Sequence, residues 1–239
     1  MIYLKKILIK TSIRKFLIRI IFSIFINKPL SEWPKWVGRV CGINLPKRTT
    51  KRQILESGGS NINIIFKLLD LTRDVKGHVA ECGVFRGHSL LPIGLYLRQE
   101  NALKKIYGFD SFEGLEEEWI TDEYSPIGTF SLNKKSPKVV KNVKLIKGKV
   151  QDTLENFLND KTDKKIIFAH MDMDTYTPTK YTLNKIKPFL QKGSVILFDE
   201  FYGFPNWQLH EYKAFTEVFN EKEYKYIAFC ESPVAVEML

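Results

Sequence analysis

The chain has 239 residues, 44% of them apolar, which is enough to bury one large core and suits a single α/β domain with appendages better than two full domains. Its formal charge is +10, yet seven Lys and Arg and no acid fall in residues 1–30, and the remainder carries 30 bases against 27 acids. That near-neutral body argues against a nucleic-acid partner, and three cysteines (Cys41, Cys82, Cys230) without metal-ligand spacing argue against a disulfide framework or a zinc site.

The chain opens with a basic, strongly apolar segment whose longest uncharged stretch, residues 20–27, is far short of the ~20 needed to span a bilayer. No small-residue cleavage site follows it, so a secreted form is not expected. Residues 1–30 read as a helix that lies in a membrane interface, packs on a second subunit, or covers the domain. The expected location is cytoplasmic, with peripheral contact at the inner membrane face as one option. Residues 31–52, with Pro34, Gly38, Gly42 and Pro46, read as a connector, giving an extension over 1–50 and one domain over 51–239.

Apolar spacing near 3.6 predicts a helix over 61–71. Strand-like and helix-like runs then alternate, as in a parallel sheet with helices on both faces. Predicted strands are 78–84, 105–110, 143–146, 166–172, 194–199, 224–229 and 234–238. Predicted helices are 89–99, 151–158, 178–189 and 209–219, the third with Thr177 as N-cap and Pro178 at its first position. The interval 111–142 is long for a loop and carries six acids between Glu113 and Glu123 together with Trp119 and Phe130; it reads either as a lid or as a solvated charged loop.

Ligands of open α/β sheets sit beyond the carboxyl ends of the strands. There the first strand leads into Glu81-Cys82-Gly83-Val84-Phe85-Arg86-Gly87, with Ser89 at the following helix start. Phe85 breaks the G-x-G-x-x-G dinucleotide fingerprint, while Glu-x-Gly-x-x-x-Gly suits a cofactor without pyrophosphate, such as S-adenosyl-L-methionine. Asp110, ending the second strand, is placed to accept ribose hydroxyls.

Asp172 and Asp174, two apart at the end of the fourth strand, should share a side of the sheet, and Asp199 and Glu200 end the fifth. Carboxylates so close require a proton or a cation between them, and an oxygen-only set favours Mg²⁺, Mn²⁺ or Ca²⁺. His170 reads as a packed core residue and His88 as a possible cofactor neighbour, while His78 and His210 carry no argued role. Phe201, Tyr202, Phe204 and Trp207 form an aromatic stretch read as core or lid packing, or as an acceptor wall.

These motifs, with Phe109-Asp110-Ser111-Phe112-Glu113-Gly114-Leu115, Gly148, Asp152-Thr153-Leu154, Asp172-Met173-Asp174-Thr175-Tyr176, Thr179 and Phe198-Asp199-Glu200-Phe201, resemble class I S-adenosylmethionine-dependent methyltransferases of the macrocin O-methyltransferase type. The resemblance covers residues 80–239 and implies a Rossmann-like fold with a mostly parallel seven-stranded sheet, plus the N-terminal helical extension. It implies methylation of a hydroxyl on a sugar or other small-molecule or glycan acceptor. Under it, Glu81, Gly83, Gly87 and Ser89 flank the methionine part of the cofactor, Asp110 and Ser111 hold the ribose, and Gln151 and Asp152 lie near adenine. Asp172, which also borders the cofactor, joins Asp199 and Glu200 as metal ligands, and Asp174 is the general base. The chain departs from the family in having Asp199-Glu200 where better-known members carry two aspartates. Two alternatives stand beside it: a metal-dependent glycosyltransferase using Asp172-x-Asp174, and a catalytically silent binding module.

Overall fold

The computed structural model describes residues 61–99, 104–159, 165–230 and 232–239. The expectations for the basic segment 1–30, the connector and Cys41 lie outside these residues. Among the described residues no helix is long and apolar enough to cross a membrane.

The chain folds as α1 (Asn61–Leu71), β1 (His78–Cys82), α2 (Leu90–Gln99) and β2 (Ile106–Asp110), then a short hairpin of β3 (Trp119–Ile120) and β4 (Tyr124–Ser125). It continues with β5 (Val143–Lys147), α3 (Val150–Asn159), β6 (Ile166–Met171), α4 (Tyr176–Ile186), β7 (Leu190–Phe198), α5 (Glu211–Val218), β8 (Tyr224–Phe229) and β9 (Val234–Met238). Seven strands form one sheet in the order β5-β2-β1-β6-β7-β9-β8. The five strands from β5 to β7 are parallel, and β9 runs antiparallel between β7 and β8. This is the expected α/β architecture with helices on both faces.

Period-two alternation explains how one sheet supports two cores. Val79, Ile106, Val195 and Leu197 face the cluster built with Leu68, Leu90 and Ile93 of α1 and α2. Ala80, Phe109, Ile196 and Phe198 face the other cluster, with Leu154, Leu183 and Phe215 of α3, α4 and α5. Because β2 lies on one side of β1 and β6 on the other, the sheet reverses its winding at β1, and a crevice opens beyond the carboxyl ends of β1 and β6.

Several element ends differ from the sequence expectation. The first strand stops at Cys82 because Gly83 turns at φ +90°, and the fourth stops at Met171, one residue before Asp172. The predicted Thr177 cap is incorrect: Thr175 is the N-cap and Pro178 the third helical residue. The chain enters that helix early because the turn at Asp174 redirects it. No side chain of its own caps the helix; instead Thr177 N–H and Oγ1 donate to Glu117 Oε1 and Oε2 at 2.6 and 3.0 Å. A carboxylate there satisfies orphan amides and opposes the helix dipole.

Candidate active site

Residues 111–142 are not a featureless solvated loop. Leucine 132 and Lys134 amides donate to the Phe112 carbonyl, and Leu115 and Thr129 join their main chains. The hairpin β3–β4 projects from this frame. Its acids anchor it: Glu117 caps α4, and Glu116 accepts from Gln151 Nε2 at 2.9 Å at the start of α3. The segment thus lies over the strand ends as a lid.

Beneath it is a cleft of about 270 Å³ bordered by the loop after β1 (Gly83, Phe85), the end of β2 (Asp110, Ser111), the lid (Leu115, Trp119, Phe130) and the acids Asp172, Asp174 and Glu200. Phe85 and Phe130 meet edge to face at 5.6 Å across its rim. Of the residues expected around the cofactor, Gly83, Asp110, Ser111 and Asp172 border the cleft. Glu81 is fully buried in β1, Gly87 is buried, and Ser89 is half-buried before α2. At the α3 end Lys149 and Val150 reach the cleft, while Gln151 is tied to Glu116 and Asp152 is exposed.

Asp110 organises the side of the cleft at the ends of β1 and β2. Val84 and Phe85 N–H donate to its Oδ2 at 2.8 and 2.7 Å, and Phe112 N–H to its Oδ1 at 2.6 Å. A carboxylate offers about four acceptor sites, so room remains for a ligand hydroxyl. Gly83 borders the cleft and also meets main chain: a Cβ there would lie 1.7 Å from the Asp172 carbonyl oxygen, so the missing side chain lets the two backbones close up.

The acids lie beyond β6 and β7, neighbours paired through Met171 and Phe198. Asp172 and Asp174 do share a patch, but not through strand alternation. Thr175 N–H donates to the Met173 carbonyl at 2.6 Å, closing a three-residue turn on Asp174, whose φ is +61°. Such turns are uncommon and strained for a non-glycine residue, and strain of this kind gathers at functional sites. Single oxygens of Asp172, Asp174 and Glu200 lie within 4.8 Å of one another. Asp199 is not one of the three but lies close enough for its charge to act on all of them, with its Oδ1 3.7 Å from His170 Nε2.

Two further residues complete the site: His170, read from the sequence as a packed core residue, and Glu211, which the sequence did not single out. His170, 1% exposed, is held between carboxylates, with Nδ1 3.2 Å from Glu81 Oε2 and Nε2 toward Asp199. Burial works against its protonation, but Asp199 and Glu81 outweigh it and raise its pKa well above the usual value. Glu211, fully buried in the first turn of α5, accepts the Glu200 amide on Oε2 at 3.3 Å and leaves Oε1 without a partner.

Burial raises the pKa of Asp174 to about 6 against a hydrogen bond from Glu200, and burial with like charge raises Asp172, Glu200 and Glu211 well above the carboxylate range. Glu200 Oε2 is also buried without a partner. Oxygen-only donors, mutual repulsion and orphaned oxygens are what a divalent cation would satisfy, so the residues fit one.

Residues 80–201 match a family described as a methyltransferase domain. The chain belongs to that family. It is an S-adenosylmethionine-dependent methyltransferase with a Rossmann-like fold. Among solved structures it is similar to the apo form of CalS11, a TDP-rhamnose 3'-O-methyltransferase of calicheamicin biosynthesis, at 25% identity over 74% of this chain and 78% of that one, TM-score 0.56. A second CalS11 structure (22% identity, 95% and 93% coverage, TM-score 0.58) and the O-methyltransferase NovP (17%, 94% and 98%, TM-score 0.56) share the fold. No curated protein matches the chain. In this methyltransferase the loop after β1 and Asp110 border one half of the cleft, and the acids Asp172, Asp174 and Glu200 border the other.

Proposed function

We propose that this methyltransferase acts on oxygen, transferring the methyl group to a hydroxyl of a sugar or sugar-bearing acceptor with the help of a divalent cation. The observation that carries this reading is the convergence of Asp172, Asp174 and Glu200 in the same cleft as the Gly83 loop and Asp110. The similarity to CalS11, a TDP-rhamnose 3'-O-methyltransferase, supports the substrate class.

A sugar hydroxyl is a weak nucleophile, so it needs its proton removed as the oxygen attacks. Asp174, with a pKa near neutrality and a place on the cleft, takes that proton. The oxygen then forms a bond to the methyl carbon as the sulfur–methyl bond breaks, leaving a neutral thioether. Asp110 and the Val84 and Phe85 amides fix the loop that seats the donor, and the lid excludes water. Asp172, Glu200 and one oxygen of Asp174 would hold the cation, which when bound lowers the pKa of a coordinated hydroxyl. Asp199, beside His170, supports the cluster from behind in place of the ligand role that the resemblance implies. Alignment of the two reactants supplies much of the rate. The family favours this chemistry over a glycosyltransferase use of Asp172 and Asp174, and the intact acids favour it over a silent module.

Calorimetric titration with S-adenosylhomocysteine, with and without Mg²⁺, tests it. Saturable one-to-one binding is expected, with a separate Mg²⁺ response; a folded protein that binds no S-adenosylhomocysteine overturns the reading.

A further inference from the structure

The lid and the strand that follows it are split by charge. Residues 111–133 carry six acids and no base, whereas residues 134–149 carry seven lysines and no acid. The acidic end serves the fold's own contacts: Glu116 and Glu117 reach α3 and α4, and Glu118 accepts from Tyr124 Oη at 2.7 Å. Its hairpin docks on the turn over residues 203–210, where Asn206 Nδ2 donates to the Ile120 carbonyl at 3.2 Å.

The basic end lies on the other side of the cleft, against the loop after β1. A Cβ on Gly87 would lie 3.7 Å from Pro137, and Phe130 meets Phe85. Arg86, 4.9 Å over the Phe85 ring, therefore joins Lys134, Lys135 and Lys138 on one rim. Lys134 pairs with Glu113 at 2.7 Å, while Arg86, Lys135 and Lys138, all exposed, have no carboxylate partner among the described residues. Glu113 is held below the usual carboxylate range, by Lys134 first and then by Lys149 and Lys147, so this acid sits in a surplus of positive charge.

The same segment holds apolar side chains in water: Ile127 is 64% exposed and Phe130 44%. They do not stand on a loose loop. Thr129, Ser131 and Lys135 amides donate to the Pro126, Gly128 and Leu132 carbonyls, and Phe130, Asn133 and Lys134 keep φ of +68°, +52° and +62°. Left-handed conformations at non-glycine residues are costly, and here they fix how the apolar and basic side chains are displayed.

Exposed apolar side chains beside unpaired lysines suit a surface that is anionic outside and apolar just beneath, as a bilayer of acidic phospholipid is. Nucleic acid would match the charge, but an exposed isoleucine gains nothing from it, and its recognition favours arginine, which residues 134–149 lack. Residues 1–30, apolar with seven bases and no acid, have the same chemistry in their sequence.

We propose that this rim, Ile127 and Phe130 with Arg86, Lys134, Lys135 and Lys138, is a docking face for an anionic phospholipid bilayer and sets the mouth of the cleft against the headgroups. The proposal goes beyond the methyl-transfer reading and stands without it.

Co-sedimentation of the full chain with vesicles tests it, using phosphatidylcholine alone and phosphatidylcholine mixed with phosphatidylglycerol. Binding is expected only to the mixed vesicles and should weaken with salt. Lys135→Ala combined with Lys138→Ala should weaken it about 25-fold, or about fivefold for each charge removed from the membrane surface. Ile127→Ser should weaken it about fivefold. Lys192→Ala combined with Lys222→Ala, which removes the same charge from exposed sites outside this rim, should stay within about twofold of the parent. Melting curves of all these variants should match the parent's, since only exposed side chains change. Parent-like binding by the Lys135/Lys138 variant, or an equal loss in the Lys192/Lys222 variant, overturns the docking face, as does a parent chain that ignores the mixed vesicles. Displacement of the vesicles by glycerol phosphate or by a single-stranded oligonucleotide overturns it in favour of a small-anion site or a nucleic-acid surface. S-adenosylhomocysteine binding is a separate readout, and its absence would overturn the methyl-transfer reading and leave the docking face standing.

Discussion

The two halves of the cleft treat their carboxylates in opposite ways. On the proposed donor side, Asp110 receives three main-chain amides and is well paired before any ligand arrives, with one acceptor site left over. On the acceptor side, Asp172, Asp174, Glu200 and Glu211 crowd together, with buried oxygens of Glu200 and Glu211 left unpaired. Buried polar groups are normally satisfied, and orphaned ones cost free energy. The first arrangement stabilises a loop. The second sacrifices stability for a ligand's arrival, so substitutions in the two halves should differ in kind.

The largest effect is expected at Asp174. Asp174→Asn removes the proton acceptor and should lower kcat by about 10²–10⁴-fold while leaving S-adenosylhomocysteine affinity nearly unchanged. A fully active variant would remove Asp174 as the base. A cation on Asp174 would favour its ionised form, so activity of the Mg²⁺-loaded parent should rise with pH at a point below the metal-free value of about 6.

Asp110→Asn comes next and probes the paired half. An amide nitrogen now faces a main-chain N–H, so stability should fall by about 2–4 kcal/mol and S-adenosylhomocysteine affinity should fall with it. Thermal melts unchanged from the parent would show that the amides find other partners and would blur the contrast between the halves.

Glu211→Gln should have the smallest effect and the opposite sign. Its carbonyl can still accept the Glu200 amide, but the like charge is gone. Burial and then Asp174, Asp172 and Asp199 raise the folded-state pKa of Glu211. The folded protein therefore binds a proton that the unfolded chain releases above its ordinary carboxylate pKa, and the resulting penalty grows as pH rises from about 4. Metal-free Glu211→Gln should thus be more stable than the parent at pH 7 by about 1 kcal/mol, the advantage vanishing near pH 4. Melting curves across that range check it, and a variant destabilised at pH 7 would recast Glu211 as a paired group.

The sheet was legible because its signals are local: apolar strand runs, alternating helices, and acids at strand ends. Every predicted strand from β1 to β9 that joins the large sheet is present, with errors confined to ends where backbone φ turns positive or a partner in space decides. The cap of α4 is such a case, since its ligand, Glu117, lies 60 residues away in sequence. His170 and Glu211 were unreadable for the same reason. A histidine in an apolar strand and a glutamate opening a helix look ordinary until β1 is placed beside β6, which pairs Glu81 with His170, and α5 is packed under Glu200. The interval 111–142 could be flagged by length and charge, but its hairpin of two-residue strands leaves almost no periodicity to detect. Proximity of Asp172 to Asp174 was anticipated from strand geometry and arises from a turn instead.

The contact between Gly83 and Asp172 has a mechanical consequence. Main chain meets main chain there, with no side chain to act as a cushion. The loop after β1 and the turn that carries Asp174, the proposed base, are therefore a single stiff joint, and the gap between them is set by covalent geometry and van der Waals radii rather than by adjustable rotamers. On the proposed mechanism, a variable approach of the acceptor would then have to come from the lid, while the spacing between donor loop and base stays fixed by the main chain.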